Sequence, residues 1–124
     1  MWMTLIPTMN VHDMAEAVAF YTGILDFEPG WTNPPEGDPA YASLFRNGHE
    51  LHLSSYSGRA GHRQTVVVLI DDADAQFAAF RARGFVPPDR PESPVHTGPV
   101  DQSWGTREFY IDDPSGNTLC FMQR

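Results

Sequence analysis

The chain has 124 residues, of which 41% are hydrophobic and 12% aromatic, enough for one packed domain and inconsistent with global disorder. Sixteen acidic residues against eight basic ones give a net charge of -8, which argues against a nucleic-acid partner. That charge either attracts cations or only maintains solubility. No apolar run approaches the roughly 20 residues of a membrane span, no signal-peptide pattern is present, and a single cysteine excludes an intrachain disulfide. We expect a cytoplasmic protein without a membrane partner.

The first half of the chain opens with a short apolar segment, residues 4–9, followed by a helix start. Asp13 with Glu16 three residues later resembles a capping box. Apolar residues then recur at helical spacing, namely Met14, Val18, Tyr21 and Leu25. This pattern predicts a strand and then an amphipathic helix.

Two further strands are predicted before the middle of the chain. A loop rich in Pro and Gly covers residues 33–39. Residues 41–45 and 50–56 have the composition of strands, and Asn47-Gly48 between them is a strong hairpin signal. We expect a β-hairpin here.

The second half repeats that order. Residues 65–70 form a β-branched apolar run, and Asp72 is placed to cap a helix that carries Phe77 and Phe80 and ends at Gly84. A Pro-rich loop follows over residues 87–99, and then a closing hairpin. The pattern predicts one α+β domain, residues 1–124, built from tandem βαβββ repeats over about 1–58 and 62–124.

The closing hairpin carries the most specific signal. Trp104-Gly105 opens it, Arg107-Glu108-Phe109 follows, and Asp113-Pro114-Ser115-Gly116-Asn117 forms the turn. In this turn Asp113 can accept from the backbone two residues on, and Gly116 or Asn117 can adopt a positive φ. This string resembles the last hairpin of the vicinal oxygen chelate superfamily, most closely its bleomycin-resistance branch. Residues 6–14, 17–21 and 53–55 are similar to the earlier strands and helix of the same proteins.

The resemblance implies an architecture. Each half is expected to curl a mixed sheet into a concave cleft, with its helix on the convex side. Two chains are expected to form a domain-swapped homodimer in which the first strand, residues 3–9, is exchanged between partners. Pro7 lies where the family has a proline in that strand.

The resemblance also bears on a metal site, because the enzymes of the superfamily bind a divalent cation at four matching positions. Period-two alternation turns Leu51, Leu53, Leu119 and Phe121 toward the helices and Ser54, Thr8, Val67 and Met122 toward the cleft. The four metal positions also face the cleft and are occupied by Ile6, His52, Thr65 and Cys120. Two possible donors fall short of the three protein ligands of a catalytic zinc site. We therefore expect no metal and no cofactor, with His52 a cavity-lining polar residue and Cys120 a small buried hydrophobe.

Other catalytic signals are weak. His12 lies beside a helix cap, while His49, His62 and His96 fall in predicted turns or loops. Sequence motifs for thiol, serine or phosphate chemistry are absent. Glu108 on a cleft strand could act as a base, but an ion pair with Arg107 or with a neighbouring strand is the favoured interpretation.

Aromatic residues are the remaining candidates for a binding site, with packing in the core or at the rim as the alternative for each ring. The predicted ligand-binding set is Trp31, Tyr41, His52, Ser54, Tyr56, Trp104, Gly105, Glu108 and Tyr110. Acidic residues at Glu36, Asp38 and Asp101 would favour a cation near these rings. The sequence thus favours a non-catalytic protein that sequesters a small aromatic or cationic molecule such as a bleomycin-type antibiotic. The alternative is a metal-dependent lyase, isomerase or dioxygenase of the same superfamily.

Overall fold

A computed structural model describes residues 1–56 and 63–124 of the chain. The first repeat was predicted to end at about residue 58 and the second to begin at about residue 62. Both residues lie outside the described part of the chain, and so does His62, so these bounds stay predictions. The elements in chain order are β1 (Thr8–Asn10), α1 (Met14–Gly23), β2 (Glu28–Asn33), β3 (Tyr41–Arg46), β4 (His49–Ser54), β5 (Thr65–Leu69), α2 (Ala73–Ala82), α3 (Pro94–Thr97), β6 (Val100–Asp101), β7 (Arg107–Asp112) and β8 (Thr118–Gln123). Within the described part of the chain, the helices are too short or too polar to cross a membrane.

The strands form two four-stranded mixed sheets of the same design. The order is β1-β4-β3-β2 in the first sheet and β5-β8-β7-β6 in the second. In each sheet one outer strand runs parallel to its neighbour, β1 beside β4 and β5 beside β8, and the other pairs are antiparallel. The α+β class with two mixed sheets is therefore confirmed.

Local signals placed α1, α2 and the tight turns correctly. The Asp13 carboxylate accepts from the Glu16 amide at 3.0 Å and begins α1, and Asp72 begins α2 in the same way. Asn47 and Gly48 both adopt positive φ, 52° and 79°, as a two-residue hairpin turn requires. These contacts lie within a few residues, so sequence alone could specify them.

One hydrophobic core joins the two halves. Helix α1 packs on β2, β3 and β4, and α2 packs on β7 and β8. The predicted core positions Leu51, Leu53, Leu119 and Phe121 are all buried, together with Tyr21 and Phe109. Because alternate residues of a strand face opposite sides, the same registers turn His52, Glu108 and Cys120 away from the helices.

Four local predictions were wrong. The predicted first strand, residues 4–9, forms only over Thr8–Asn10, because β4 pairs with that short segment and residues 1–6 are exposed. The loop predicted over 33–39 begins one residue later, because Asn33 is the last residue of β2, which pairs with β3. The strand predicted over 50–56 ends at Ser54, and His49 belongs to it rather than to a turn. Likewise the predicted loop over 87–99 contains α3, which includes His96.

Candidate functional site

Three aromatic residues meet on the open face of the first sheet. The Trp31 ring stacks on the Tyr41 ring at a centroid distance of 5.7 Å, and His52 packs edge-on against both rings. They come from β2, β3 and β4, whose pairing sets neighbouring strands side by side. We call this set, Trp31, Tyr41 and His52, the Trp31 cluster. Trp31 remains 51% exposed, so the cluster offers a flat aromatic surface to solvent or to a ligand.

A chain of hydrogen bonds fixes the polarity of the Trp31 cluster. The Nε2 atom of His52 is 2.7 Å from the Glu50 carboxylate, and its Nδ1 atom is 2.9 Å from the Tyr41 hydroxyl. Because a carboxylate only accepts, the Nε2 atom of His52 carries a proton that it donates to Glu50, and in the tautomer with a bare Nδ1 atom the Tyr41 O–H donates to Nδ1. The Tyr41 oxygen, 3.3 Å from the Thr8 hydroxyl, can then accept from Thr8 or from a ligand.

A buried carboxylate organises the open face of the second sheet. Glu108 is 1% exposed, and the Trp104 indole N–H donates to it at 3.1 Å. The Thr106 hydroxyl donates to the same oxygen, while Tyr110 and Cys120 donate to the other one at 3.4 and 3.5 Å. We call Glu108 with its four donors the Glu108 network. All four donors are turned inward, so the hydroxyl oxygens of Thr106 and Tyr110 can only accept from a ligand.

The Glu108 network also sets the protonation of its members. Burial raises the pKa of Glu108, but its four hydrogen bonds together outweigh burial, so the pKa lies below its ordinary value. Burial and then the charge of Glu108 raise the pKa of Cys120 to about 11. The pKa of Tyr110 rises to about 12, first through burial and then through Cys120 and Glu108. At neutral pH the site therefore holds one carboxylate beside a protonated thiol and a protonated phenol.

The predicted site residues thus fall into two groups on two sheets. The Trp31 cluster brings together three of them, and the Glu108 network brings together Trp104, Glu108 and Tyr110. Ser54 is the last residue of β4, is buried, lies opposite Tyr41 on β3 and accepts from the amide of the exposed Tyr56. Neither Ser54 nor Tyr56 belongs to the Trp31 cluster or the Glu108 network as defined above. Gly105, with φ of 98°, forms the turn that leads into β7.

One expectation about a charged group was wrong, and the surroundings of two others are now defined. Arg107 does not pair with Glu108; it binds Asp74 at 2.9 Å and Asp101 at 3.0 Å. Asp38 accepts from the Met14 amide and the Ser55 hydroxyl, so its carboxylate also holds the fold together, and its effect on a cation stays a prediction. Glu36 lines a groove of about 530 Å³ beside α1 and is separate from both aromatic groups.

Sequence reasoning missed two residues that the structure adds to the site, Glu50 and Thr106, and it turned Thr8 toward the cleft without identifying its partners. Glu50 lies two residues before His52, and Thr106 two before Glu108. Period-two alternation puts residues with this spacing on one face of a strand, so it could have found Glu50. Thr106 precedes β7, and Thr8 pairs with His52 across the sheet, a contact that only the strand register defines.

The residues at the four metal positions of the family do not fit a bound metal ion. Within residues 1–56 and 63–124, no three His, Cys, Asp or Glu side chains are grouped as metal ligands would be. Of the four family positions, Ile6 has no donor atom and Thr65 is a poor one. Both ring nitrogens of His52 are already hydrogen-bonded, and the raised pKa of Cys120 disfavours the thiolate that binds metals.

Comparison with known proteins places the fold. The chain has 23% identity to a bleomycin-binding protein of Streptomyces verticillus crystallised with copper(II)-bleomycin, with 98% of this chain and 95% of that one covered and a TM-score of 0.72. A bleomycin resistance determinant encoded on transposon Tn5 is 19% identical, with 99% and 98% covered and a TM-score of 0.75. A lactoylglutathione lyase of Agrobacterium tumefaciens is 18% identical, with 97% and 92% covered and a TM-score of 0.70. These likenesses show a shared fold.

The family assignment rests on the sequence itself. No curated protein matches the chain. The sequence model of one family matches residues 5–121, nearly the whole chain, and this agrees with the resemblance carried by the closing hairpin. The chain belongs to the glyoxalase/bleomycin resistance protein/dioxygenase superfamily.

Proposed function

We propose that this protein binds a flat, cationic aromatic molecule without catalysis and so keeps it from its target, as a resistance protein does with a bleomycin-type antibiotic. The observation that carries the proposal is the stack of Trp31 on Tyr41, beside His52, on an open sheet face. Stacked rings give a heteroaromatic ligand a surface to lie against, and a cation over an indole face gains further attraction.

The hydrogen-bonding polarity of both groups supports a ligand rich in N–H donors. Glu50 and Glu108 turn the neighbouring donors inward, which leaves acceptor oxygens at Tyr41, Thr106 and Tyr110. Such a surface is complementary to amide, amine and protonated heterocyclic groups and is poorly matched to carboxylates. The net charge of -8 adds a favourable long-range field for a cation.

We expect a preference for cations to be measurable by calorimetry. Bleomycin and a matched pair of cationic and anionic heteroaromatics of one ring system should be titrated, and the cation of the pair should bind at least about tenfold more tightly. Raising the salt to about 0.5 M should weaken binding mainly through slower association, since screening shortens the reach of the field to a few Å.

Trp31→Ala should cost about 1–3 kcal/mol of binding free energy, and Trp31→Phe, which keeps a ring, should cost less.

Equal affinities for the pair, or a preference for the anion, would contradict this proposal. The competing function is metal-dependent isomerase, lyase or dioxygenase chemistry. It needs ligands that Ile6 and Thr65 cannot supply, so the proposal includes no resident metal. Elemental analysis of protein never exposed to a nickel column discriminates the two functions. About one Zn, Ni, Mn or Fe per chain would favour the enzyme.

We expect a homodimer at micromolar concentration, with each cleft built from both chains and the first strand exchanged. A single chain exposes a run of apolar side chains at Trp2, Met3 and Leu5, and others at Val67 and Leu69 on the edge strand β5. Unpaired sheet edges and exposed apolar patches of this kind are usually covered by another chain.

Light scattering checks the dimer with a matched pair of variants. Val67→Glu should shift the protein toward monomer, because it puts a charge on the part of β5 that we expect the partner chain to cover. Val86→Glu adds the same charge at a position that is 81% exposed in the loop after α2 and should leave the mass unchanged. A folded monomer in the unmodified protein would contradict the dimer.

A further inference from the structure

Within residues 1–56 and 63–124, the groups that hold the buried carboxylate of Glu108 are all neutral. Glu108 is 1% exposed, and its four hydrogen-bond partners are an indole, a hydroxyl, a phenol and a thiol. The adjacent cation, Arg107, points away to Asp74 and Asp101. The hydrogen bonds of the four donors offset the cost of burying this charge, but a buried polar network can often be replaced by apolar groups of the same shape without loss of stability. Fold stability alone therefore gives a weak reason for a carboxylate at this position.

The exposed member of the network suggests what the carboxylate does. Trp104 is 66% exposed, yet its indole N–H is bound at 3.1 Å to the buried Glu108. The backbone around it is fixed as well, since Gly105 donates to the Gln102 carbonyl at 3.0 Å and Gln102 donates to the Thr106 carbonyl at 2.7 Å. A surface indole would ordinarily exchange between rotamers, whereas this one is anchored at both its backbone and its ring nitrogen.

We propose that Glu108 is a positioning residue that holds the Trp104 ring in one orientation, so that the ring is preorganised to stack on the ligand. The benefit to binding rests on the proposed function, but the positioning itself does not. Glu108 contacts the ring through its N–H, at the ring edge rather than over a face. Its oxygens are occupied by four donors, so Trp104 makes the ligand contact and Glu108 acts through it.

The expected size of the effect follows from side-chain entropy. Ordering one side chain at a binding surface costs roughly 0.5–1.5 kcal/mol, a factor of about 2 to 13 in affinity. A ring already held by Glu108 avoids that cost. Loss of the anchor should therefore weaken ligand binding by about 3- to 10-fold in protein that still folds, and the donors left without an acceptor will lower the stability as well.

The first test uses the ligand-free protein, with Trp104 as the sole indole in a Trp2→Phe/Trp31→Phe background. In Glu108→Met, which has a similar length and no acceptor, Trp104 should gain nanosecond motion in fluorescence anisotropy decay and become more accessible to acrylamide. Glu108→Gln, which keeps an acceptor oxygen for the indole, should restore most of the order. Tyr110→Phe removes a different donor from Glu108 and should leave Trp104 ordered. Unchanged motion in Glu108→Met, with native circular dichroism, would overturn the proposal.

The second test is a double-mutant cycle with bleomycin as the probe. Glu108→Met should lower the affinity of the protein with Trp104 by about 3- to 10-fold and should have no effect in a Trp104→Ala background. An equal loss in both backgrounds would overturn the proposal, because Glu108 would then act on the ligand directly. If unmodified protein does not bind bleomycin, the antibiotic proposal fails, and the fluorescence test alone decides whether Glu108 positions Trp104.

Discussion

Replacing Asp113 by alanine is expected to lower the free energy of unfolding by about 3–5 kcal/mol, a large part of the stability of a domain this size. Asp113 lies in the closing turn and is 5% exposed. One carboxylate oxygen accepts from the amides of Ser115 and Asn117, and the other accepts from the Asn117 side chain and the Tyr21 hydroxyl. Alanine leaves these buried donors without an acceptor, which costs roughly 1–3 kcal/mol for each donor that water cannot reach.

Chemical denaturation at one fixed protein concentration measures this loss, since a dimer makes apparent stability depend on concentration. Tyr21→Phe removes a single hydroxyl from the same network and should cost about 1 kcal/mol. Asp71→Ala changes an exposed aspartate just before α2 and should stay within about 0.5 kcal/mol of the unmodified protein. If Asp113→Ala behaved like Asp71→Ala, the network would not carry the stability assigned to it.

Gly30→Ala is expected to destabilise the protein by about 1–3 kcal/mol and to disrupt ligand binding at the same time. A Cβ atom at this position would lie 2.7 Å from a ring carbon of Phe45 and 2.8 Å from the Ser43 carbonyl oxygen. Backbone cannot yield as a flexible side chain does, so β2 has to move away from β3. The amide of Trp31 donates to the Ser43 hydroxyl at 3.1 Å, and this movement would break that bond and the stack on Tyr41.

Thermal unfolding and calorimetry with bleomycin check the two effects of Gly30→Ala. Gly23→Ala is a matched control, because a Cβ atom there meets nothing within 4 Å at the end of α1. Alanine also has the higher helix propensity, so this variant should be neutral or slightly stabilised. Equal behaviour of the two variants would show that the close approach at Gly30 is not a constraint on the fold.

Local rules determined much of the fold from sequence. The caps at Asp13 and Asp72, the turn at Asn47-Gly48 and the Asp113 turn each depend on contacts within four residues. Alternation along β4 and β8 likewise separated core positions from open-face positions, with Leu53 and Leu119 buried as predicted. Such signals are readable because the residues that interact are neighbours in the chain.

The sequence predicted which types of residue line the candidate site, but it predicted only some of the contacts between them. Aromatic residues at 31, 41 and 104 were expected near the cleft, but the stacking of Trp31 on Tyr41 depends on the pairing of β2 with β3. Alternation along β7 turned Glu108 toward the cleft but gave no information on what would meet it there. Its predicted ion pair with Arg107 was wrong because Asp74, 33 residues away in the chain, takes that cation.

Sequence by itself determined the family, the duplicated strand and helix order, the helix caps, the tight turns and the inward faces of the strands, all of which follow from motifs or short-range spacing. Tertiary structure alone decided the partners of the polar groups. Tyr21 meets Asp113 across 92 residues, and the Glu50–His52 pair meets Tyr41 only through the register of β3 and β4. A buried donor binds whichever acceptor the packed chain brings within 3 Å, and that choice is made by the assembled sheets rather than by the residue's neighbours in sequence.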